Sequence, residues 1–325
     1  MRIRSAALVT ALVLALLAVP PTAAVAGAAM RIGLLAPDEE PRFSDIASSL
    51  RRGLREHGYR EEAVEVLEGR VPRGDDAVAR ATVERFGQQR VAVVFAVGSV
   101  LARLARAVAP AVPIVFVTPG DPVAAGLVAS LARPGGNMTG LTFEYPELSG
   151  KRLELLREIL PRTRRVLVLY DPRDASPRQG VAAAREAAVR LGLSLVEHPV
   201  QSEEDVVRAR AGLDGVDAVL GVAGGVTSHH YAATIRAANA RRLPTIFHSR
   251  TESTRDALLT YGASDVDTAR QAARLIDRVL KGANAGDLPV ERPLTVSLVI
   301  NRKTASRLGL TIPPSLLLRA DHLID

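Results

Sequence analysis

The residues of this chain that could do chemistry gather at a few turns. TPGDP (118–122) follows the apolar run PIVFV (113–117), and a glycine turn that closes a strand and opens a helix is a place where backbone N–H groups hold phosphates or small anions. Two features argue against a nucleotide here. G-x-G-x-x-G is absent, and Asp121 would set an acid where a phosphate must sit. Helix capping by Asp121, with Pro122 at the first helical position, accounts for the pair; capping combined with a ligand contact stays equally open. Gly150-Lys151 is followed by Arg152 and has no glycine five residues upstream, so it is not a P-loop. There is no G-x-S-x-G and no cysteine. The adjacent His229 and His230 cannot share a helix face as metal ligands at i, i+4 would. Asp171, Asp174 and Asp214 stand singly in turns and make no general acid/base pair. These residues point away from an enzyme and call for no cofactor and no metal.

The elements that must position such turns alternate regularly. MRIGLLA (30–36), AVEVLE (63–68), VAVVFAVG (91–98) and PIVFVT (113–118) are short Val/Ile/Leu-rich runs without period-two alternation, the pattern of strands buried on both faces. Helical stretches separate them: 43–58, 75–89 and 99–109. After residue 148 the alternation restarts, with a helix at 150–160 and strands at 164–171, 193–200, 217–222 and 244–249 interleaved with helices at 176–192, 202–213 and 228–242. Two βαβ series of similar size predict an α/β protein of two doubly wound lobes. The run 256–262, a helix at 264–282, the run 295–301 and KTASRLGL (303–310) follow, and PLTVSLVI is read as the chain crossing back between lobes.

The first residues, MRIRSAALVTALVLALLAVPPTAAVAGAAM, combine Arg2 and Arg4, an apolar run from Ala6 to Val19 and the A-x-A exit Ala24-Val25-Ala26. That is the layout of a secretory signal peptide, assigned to 1–29 with cleavage after Ala26. The run is shorter than the roughly 20 residues a membrane span needs. With no cysteine to carry a lipid, the expectation is a soluble periplasmic protein, exported and not a lipoprotein. The formal charge of +7 falls to +5 without Arg2 and Arg4, and the arginines are spread beside acids, as in RQGVAAAREAAVR (178–190). Solvated helix faces explain them, and no nucleic-acid partner is expected.

Three long blocks carry a family resemblance: DPVAAGLVASLARPGGNMTGLT (121–142), GKRLELLREILPRTRRVLVLYDP (150–172) and LVINRKTASRLGLTIPPSLLLRAD (298–321). The chain resembles the ABC transporter substrate-binding protein family, in the branch that includes tryptophan- and tyrosine-binding proteins. The resemblance implies a type I periplasmic-binding-protein fold, two Rossmann-like doubly wound lobes joined by three hinge strands. It places lobe 1 at 30–143 plus 256–286 and lobe 2 at 144–255 plus 287–325, with crossings near 142–146, 250–256 and 286–294. It also implies a monomer that takes a small organic solute, an amino acid or related compound among the candidates, and presents it to a permease in the inner membrane. Parallel sheets bind ligands beyond the carboxyl ends of their strands. On this fold the ends of the first lobe offer Ser44, Gly98, Ser99, Thr118 and Asp121. Those of the second offer Tyr170, Asp171, Arg173, Gly224, Thr227 and His248, with Phe143 and Glu144 near the first crossing and Tyr261 near another strand end. An amino-acid ligand would need an acceptor such as Asp121 for its ammonium and a donor such as Arg173, Ser99 or a helix N-terminus for its carboxylate. For an aromatic side chain, Phe43, Tyr170 or Tyr261 would supply a stacking face, against the ordinary role of core packing.

Two other classes fit the same layout. A sensory receptor would dock its closed form on a signalling membrane protein instead of a permease. A two-lobed glycosyltransferase is opposed by the export signal, the missing nucleotide loop and the missing acid/base pair.

Overall fold

The computed structural model describes residues 29–39, 42–72, 74–144, 146–224, 227, 230–249, 251 and 254–325. Residues 1–28 of the signal peptide expected at the N-terminus, and His229, fall outside them. Among the described residues, no helix is long and apolar enough to cross a membrane.

Two sheets organise the chain. The first contains β1 (Met30–Pro37), β2 (Val64–Val71), β3 (Val93–Val97), β4 (Ile114–Pro119) and β5 (Met138–Glu144) in the order β2-β1-β3-β4-β5, all parallel. The second contains β6 (Arg165–Tyr170), β7 (Ser194–Pro199), β8 (Ala218–Gly221), β9 (Thr245–Phe247), β10 (Leu259–Gly262), β11 (Ser297–Asn301) and β12 (His322–Ile324). Its order is β12-β11-β10-β9-β8-β6-β7, and β10–β11 is the antiparallel pair. In each sheet the chain first steps outward by one strand and then reverses, so the order switches between β1 and β3 and again between β6 and β8.

The absence of alternation in the strands has its cause in how the faces are covered. On β3, Val93, Phe95 and Val97 join a core under α1 (Arg42–Glu56) and the helix 265–280, while Val94 and Ala96 join another under α2 (Asp76–Gln88) and α3 (Ser99–Val108). Both faces are sealed, so every position must be apolar. β6 behaves alike: Val166 and Val168 pack under α4 (Pro146–Ile159) and α5 (Ala175–Leu191), and Leu167 and Leu169 face the other side. The remaining helices are α6 (Glu203–Ala209), α7 (Tyr231–Ala240), α8 (Asp265–Leu280), α9 (Arg302–Leu308) and α10 (Pro314–Leu317).

Two expectations need correction. The first lobe was expected to resume at 256, after a crossing at 250–256. Instead β10 pairs with β9 and β11, and Leu259 and Tyr261 pack on the second core, so the chain leaves the second sheet only after Gly262. Likewise 287 does not begin the second lobe. Leu288 and Glu291 still lie along β5: Leu288 O accepts from Thr139 Oγ1, and the Glu291 backbone exchanges hydrogen bonds with Gly140 and Thr142. The antiparallel β11 is the point of re-entry. The second and third crossings thus run through 262–265 and 291–297.

The stretch after Asp121 also differs from its reading as a capped helix. It makes one turn, with Ala125 N donating to Asp121 O and Leu127 N to Pro122 O, and then stops at Gly126, whose φ is 69°. Leu127 and Val128 turn inward to fill the core beneath α3. The link between β4 and β5 is therefore a set of turns.

Candidate functional site

All five strands of the first sheet end on one edge, as do β6 to β10 of the second. The structure sets these edges against each other. At the end of β4, Asp121 N donates to Gln179 Oε1 of α5 over 3.2 Å. Beside it Gly120 lies directly against Ser176, at the start of α5. Farther along, the imidazole of His248, just past β9, lies in the electrostatic field of Arg42 from the first turn of α1. The contacts of Gly120 and Asp121 with α5 bring the two strand-end edges together as the walls of a cleft, beginning at the switch points where parallel sheets leave a crevice.

In the first wall, Gly98 takes φ 100°, and the helix it opens has no side-chain cap. A Cβ on Gly98 would meet nothing within 4 Å, so the backbone there borders open space. Ser99 follows as the first residue of α3 and is half-buried. This start offers free helical N–H groups, the positive end of the dipole and a hydroxyl. Thr118 is buried and its Oγ1 donates to Pro119 O. Asp121 is half-buried, with Oδ1 accepting from Val123 N. Ser44 is exposed in the first turn of α1. Phe143 lies at the end of β5, and its side chain is outside the described part of the structure.

In the second wall, Asp171 is buried and accepts from Arg173 N, Nε and Nη2, with the side-chain pair at 2.7–2.9 Å. The guanidinium holds the Asp171 carboxyl below its ordinary range, against the opposing effect of burial. Arg173 also donates to Gln201 O, so its fork is committed to the β6–α5 turn and to the end of β7. Tyr170 leans toward β7, where its hydroxyl reaches Glu197, itself paired with Arg185. Gly224 sits against Pro177 and Thr227. The buried Thr227 hydroxyl lies near Gly224 O and the Tyr231 hydroxyl, and Tyr231 donates to Val222 O. Tyr231 meets the rings of Phe247 and His248 edge-on, at 4.7 and 5.7 Å between centroids. His248 Nδ1 is buried without a hydrogen-bond partner, and burial with the nearby Arg152 and Arg42 pushes the imidazole down to about 3. Tyr261 is half-buried on the second core. Of the proposed stacking faces, Phe43 is fully buried, with the Arg70 guanidinium 3.9 Å above its ring. That is core packing.

Sequence reasoning missed several members of this cleft. Arg152 is completely buried, donating from Nε to Tyr261 O and from Nη1 to Ser149 Oγ. In GKRLELLREIL it looks like any charged position on a solvated helix. Ser176 and Gln179 likewise read as surface residues of α5, because nothing local signals that another lobe will press on them. Arg42 gave no signal either. Among the described residues there is no group of three His, Cys, Asp or Glu suited to a metal.

Two parallel-sheet lobes, facing each other by their strand ends around a cleft and joined by three crossings, define a solute-binding protein of the type I periplasmic-binding-protein fold. The chain belongs to the ABC transporter substrate binding protein family, whose model matches residues 31–324. It is 24% identical over 280 residues to a tyrosine-binding protein of Clostridioides difficile, covering 86% of this chain and 81% of that protein. A crystal structure of an ABC domain in complex with L-Trp from Streptococcus pneumonia matches with a TM-score of 0.83 at 23% identity, over 91% of this chain and all of that one. A conserved domain protein from Vibrio cholerae matches with a TM-score of 0.81 at 27% identity, over 90% of this chain and 99% of that one.

Proposed function

We propose that this protein, exported to the periplasm, captures an amino acid or a related small solute between its lobes as a monomer and hands it to an ABC permease in the inner membrane, without chemical change to the solute. The observation that carries this reading is the facing of the two strand-end edges, met at Asp121–Gln179. Each lobe holds half of a polar site, and a solute touching both halves is bound fully only when they close.

The chemistry of the walls suits an amino acid. A carboxylate would sit at the uncapped start of α3, on backbone N–H groups and the Ser99 hydroxyl. The Asp121 carboxylate would accept from the ammonium across the same corner. Tyr231 and the neutral His248 offer edges in the second wall. The C. difficile and S. pneumonia proteins make L-tyrosine and L-tryptophan the first solutes to try.

Isothermal titration of the mature protein against the standard amino acids tests the proposal. A dissociation constant in the micromolar range or tighter is expected for at least one. If none binds better than millimolar, the amino-acid reading is wrong.

A further inference from the structure

At the corner between β4 and the first turn that follows, the two lobes touch through backbone, with almost no side chain between them. Gly120 has φ 73°, and a Cβ built on it would lie 2.7 Å from Ser176 Cβ, 2.7 Å from Ser176 Oγ and 2.9 Å from Ser176 Cα. Oγ can swing away by rotation, but Cβ and Cα are fixed to the backbone of α5, so a side chain at 120 could be accommodated only by moving α5, and with it the second lobe. The Ser176 hydroxyl is buried there with no hydrogen-bond partner. Next to it Asp121 N donates to Gln179 Oε1, one turn along α5 from Ser176. Gly120 is itself held from the hinge side: Thr142 Oγ1 donates to Gly120 O over 2.5 Å, and Thr142 stands two residues before the end of β5, where the chain leaves for the second lobe. On the other side, Ser176 is anchored by Asp174, whose Oδ1 accepts from Ser176 N at the start of the helix. Both halves of the contact are therefore fixed to rigid elements and meet only when the lobes are together.

We infer that Gly120 with Ser176, and the Asp121 backbone N–H with Gln179, form a clasp that sets how far the lobes close, so that Gly120, Ser176 and Gln179 govern solute affinity without touching the solute. A Cβ at residue 120 penalises the closed state alone, because the clash exists only there. The strain of a left-handed φ on a non-glycine residue belongs to the first lobe and is present in open and closed forms alike. The two effects are separable: removing the Ser176 side chain takes away two of the three close approaches and leaves the φ strain in place.

The clasp is testable without knowing the solute. The chain has no cysteine, so a reporter pair can be placed on exposed flanking positions of the two lobes, Ala124→Cys and Arg178→Cys, and joined with a short bis-maleimide. The rate of cross-linking reports how often the lobes meet. Gly120→Ala and, separately, Ser176→Leu are expected to slow cross-linking at least about tenfold, and Gly120→Ala with Ser176→Gly to return part of that loss, the 2.9 Å approach to the Cα of residue 176 remaining. Small-angle scattering of the same variants without reporters should show a larger radius of gyration for the two single substitutions. Ser176→Leu leaves residue 120 as glycine, so it carries the test if Gly120→Ala fails to fold. Unchanged cross-linking in both single variants, or no recovery in the double variant, overturns the clasp. The affinity half of the inference rests on the amino-acid reading, and titration with the standard amino acids separates the two. If none of the standard amino acids binds the wild type, that reading fails while the cross-linking result stands; any that binds should bind the single variants at least about tenfold more weakly.

Discussion

At the end of β9, burial and then the neighbouring guanidiniums of Arg152 and Arg42 push the His248 imidazole from its ordinary value down to about 3. Below about pH 6.5 the unfolded chain takes up a proton on this histidine that the folded chain refuses. The stability that comes from keeping His248 neutral is therefore complete above pH 6.5 and is lost as the pH falls from 6.5 toward 3. Urea unfolding of wild type and His248→Gln at pH 7.5 and 5.5 checks this. The wild type should lose about 1 kcal/mol more than the variant over that interval; equal losses would mean that the ring is solvated well enough to titrate. The same residue shows how much of the site could be read from sequence. His248 was legible as a strand-end residue, since PTIFHS ends a clear apolar run. Its buried, unpartnered Nδ1 was not, because that depends on Tyr231 from α7 and on arginines from two other helices.

At the scale of elements, the tightest helix contact in the first lobe is between α1 and α8, two helices far apart in the chain. A Cβ on Gly53 of α1 would fall 2.5 Å from Arg270 O and 2.7 Å from Ala273 Cβ on α8. Arg270 then reaches back over α1 to Glu56 at 2.7–2.8 Å. Gly53→Ala must push the two backbones apart and should destabilise the protein by about 1–3 kcal/mol, as overpacking does in a filled interior. Thermal unfolding would then show a lower Tm, by roughly 2–4 °C for each kcal/mol. An unchanged Tm would mean that the helices slide apart at no cost. Most elements themselves were legible from apolar runs and caps. The exception, the stretch after Asp121, looked like a capped helix because Asp-Pro is a helix start in isolation. What won was burial: Leu127 and Val128 reach the core only if the chain breaks at Gly126.

For the whole molecule, the third crossing decides how the lobes are tethered. Glu291 joins it to α8 and to β5 at once. Its carboxylate is mostly buried and accepts from Arg274 and from Gln271 Nε2, while its backbone pairs with Gly140 and Thr142. Gln271 also donates to Arg292 O and accepts from Leu294 N. Glu291→Ala removes the shared acceptor and should loosen this segment. Hydrogen exchange followed by mass spectrometry is expected to be about tenfold faster or more over 288–294, with the cores of both sheets unaffected. Exchange that stays at the wild-type rate would show that the backbone ladder to β5 suffices. The lobe boundaries belong to this scale too. The run at 256–262 is as apolar as any strand of the first lobe, and composition cannot say which sheet a strand joins. Pairing with β9 and β11 put it in the second.

From sequence alone came the fold class, the number of lobes, the family and the set of turns at strand ends. These follow from local causes: doubly buried strands must be wholly apolar, helices between them must be amphipathic, and turns need glycine, proline and aspartate wherever the fold is used. Tertiary structure alone decided which turns face each other. Ser176 and Gln179 became partners of Gly120 and Asp121, Arg152 became a buried donor, and Phe43 went into the core. Each of these depends on how one lobe is set against the other or one element over another, and such contacts leave no periodicity in the chain, because they join residues that are near in space and remote in sequence.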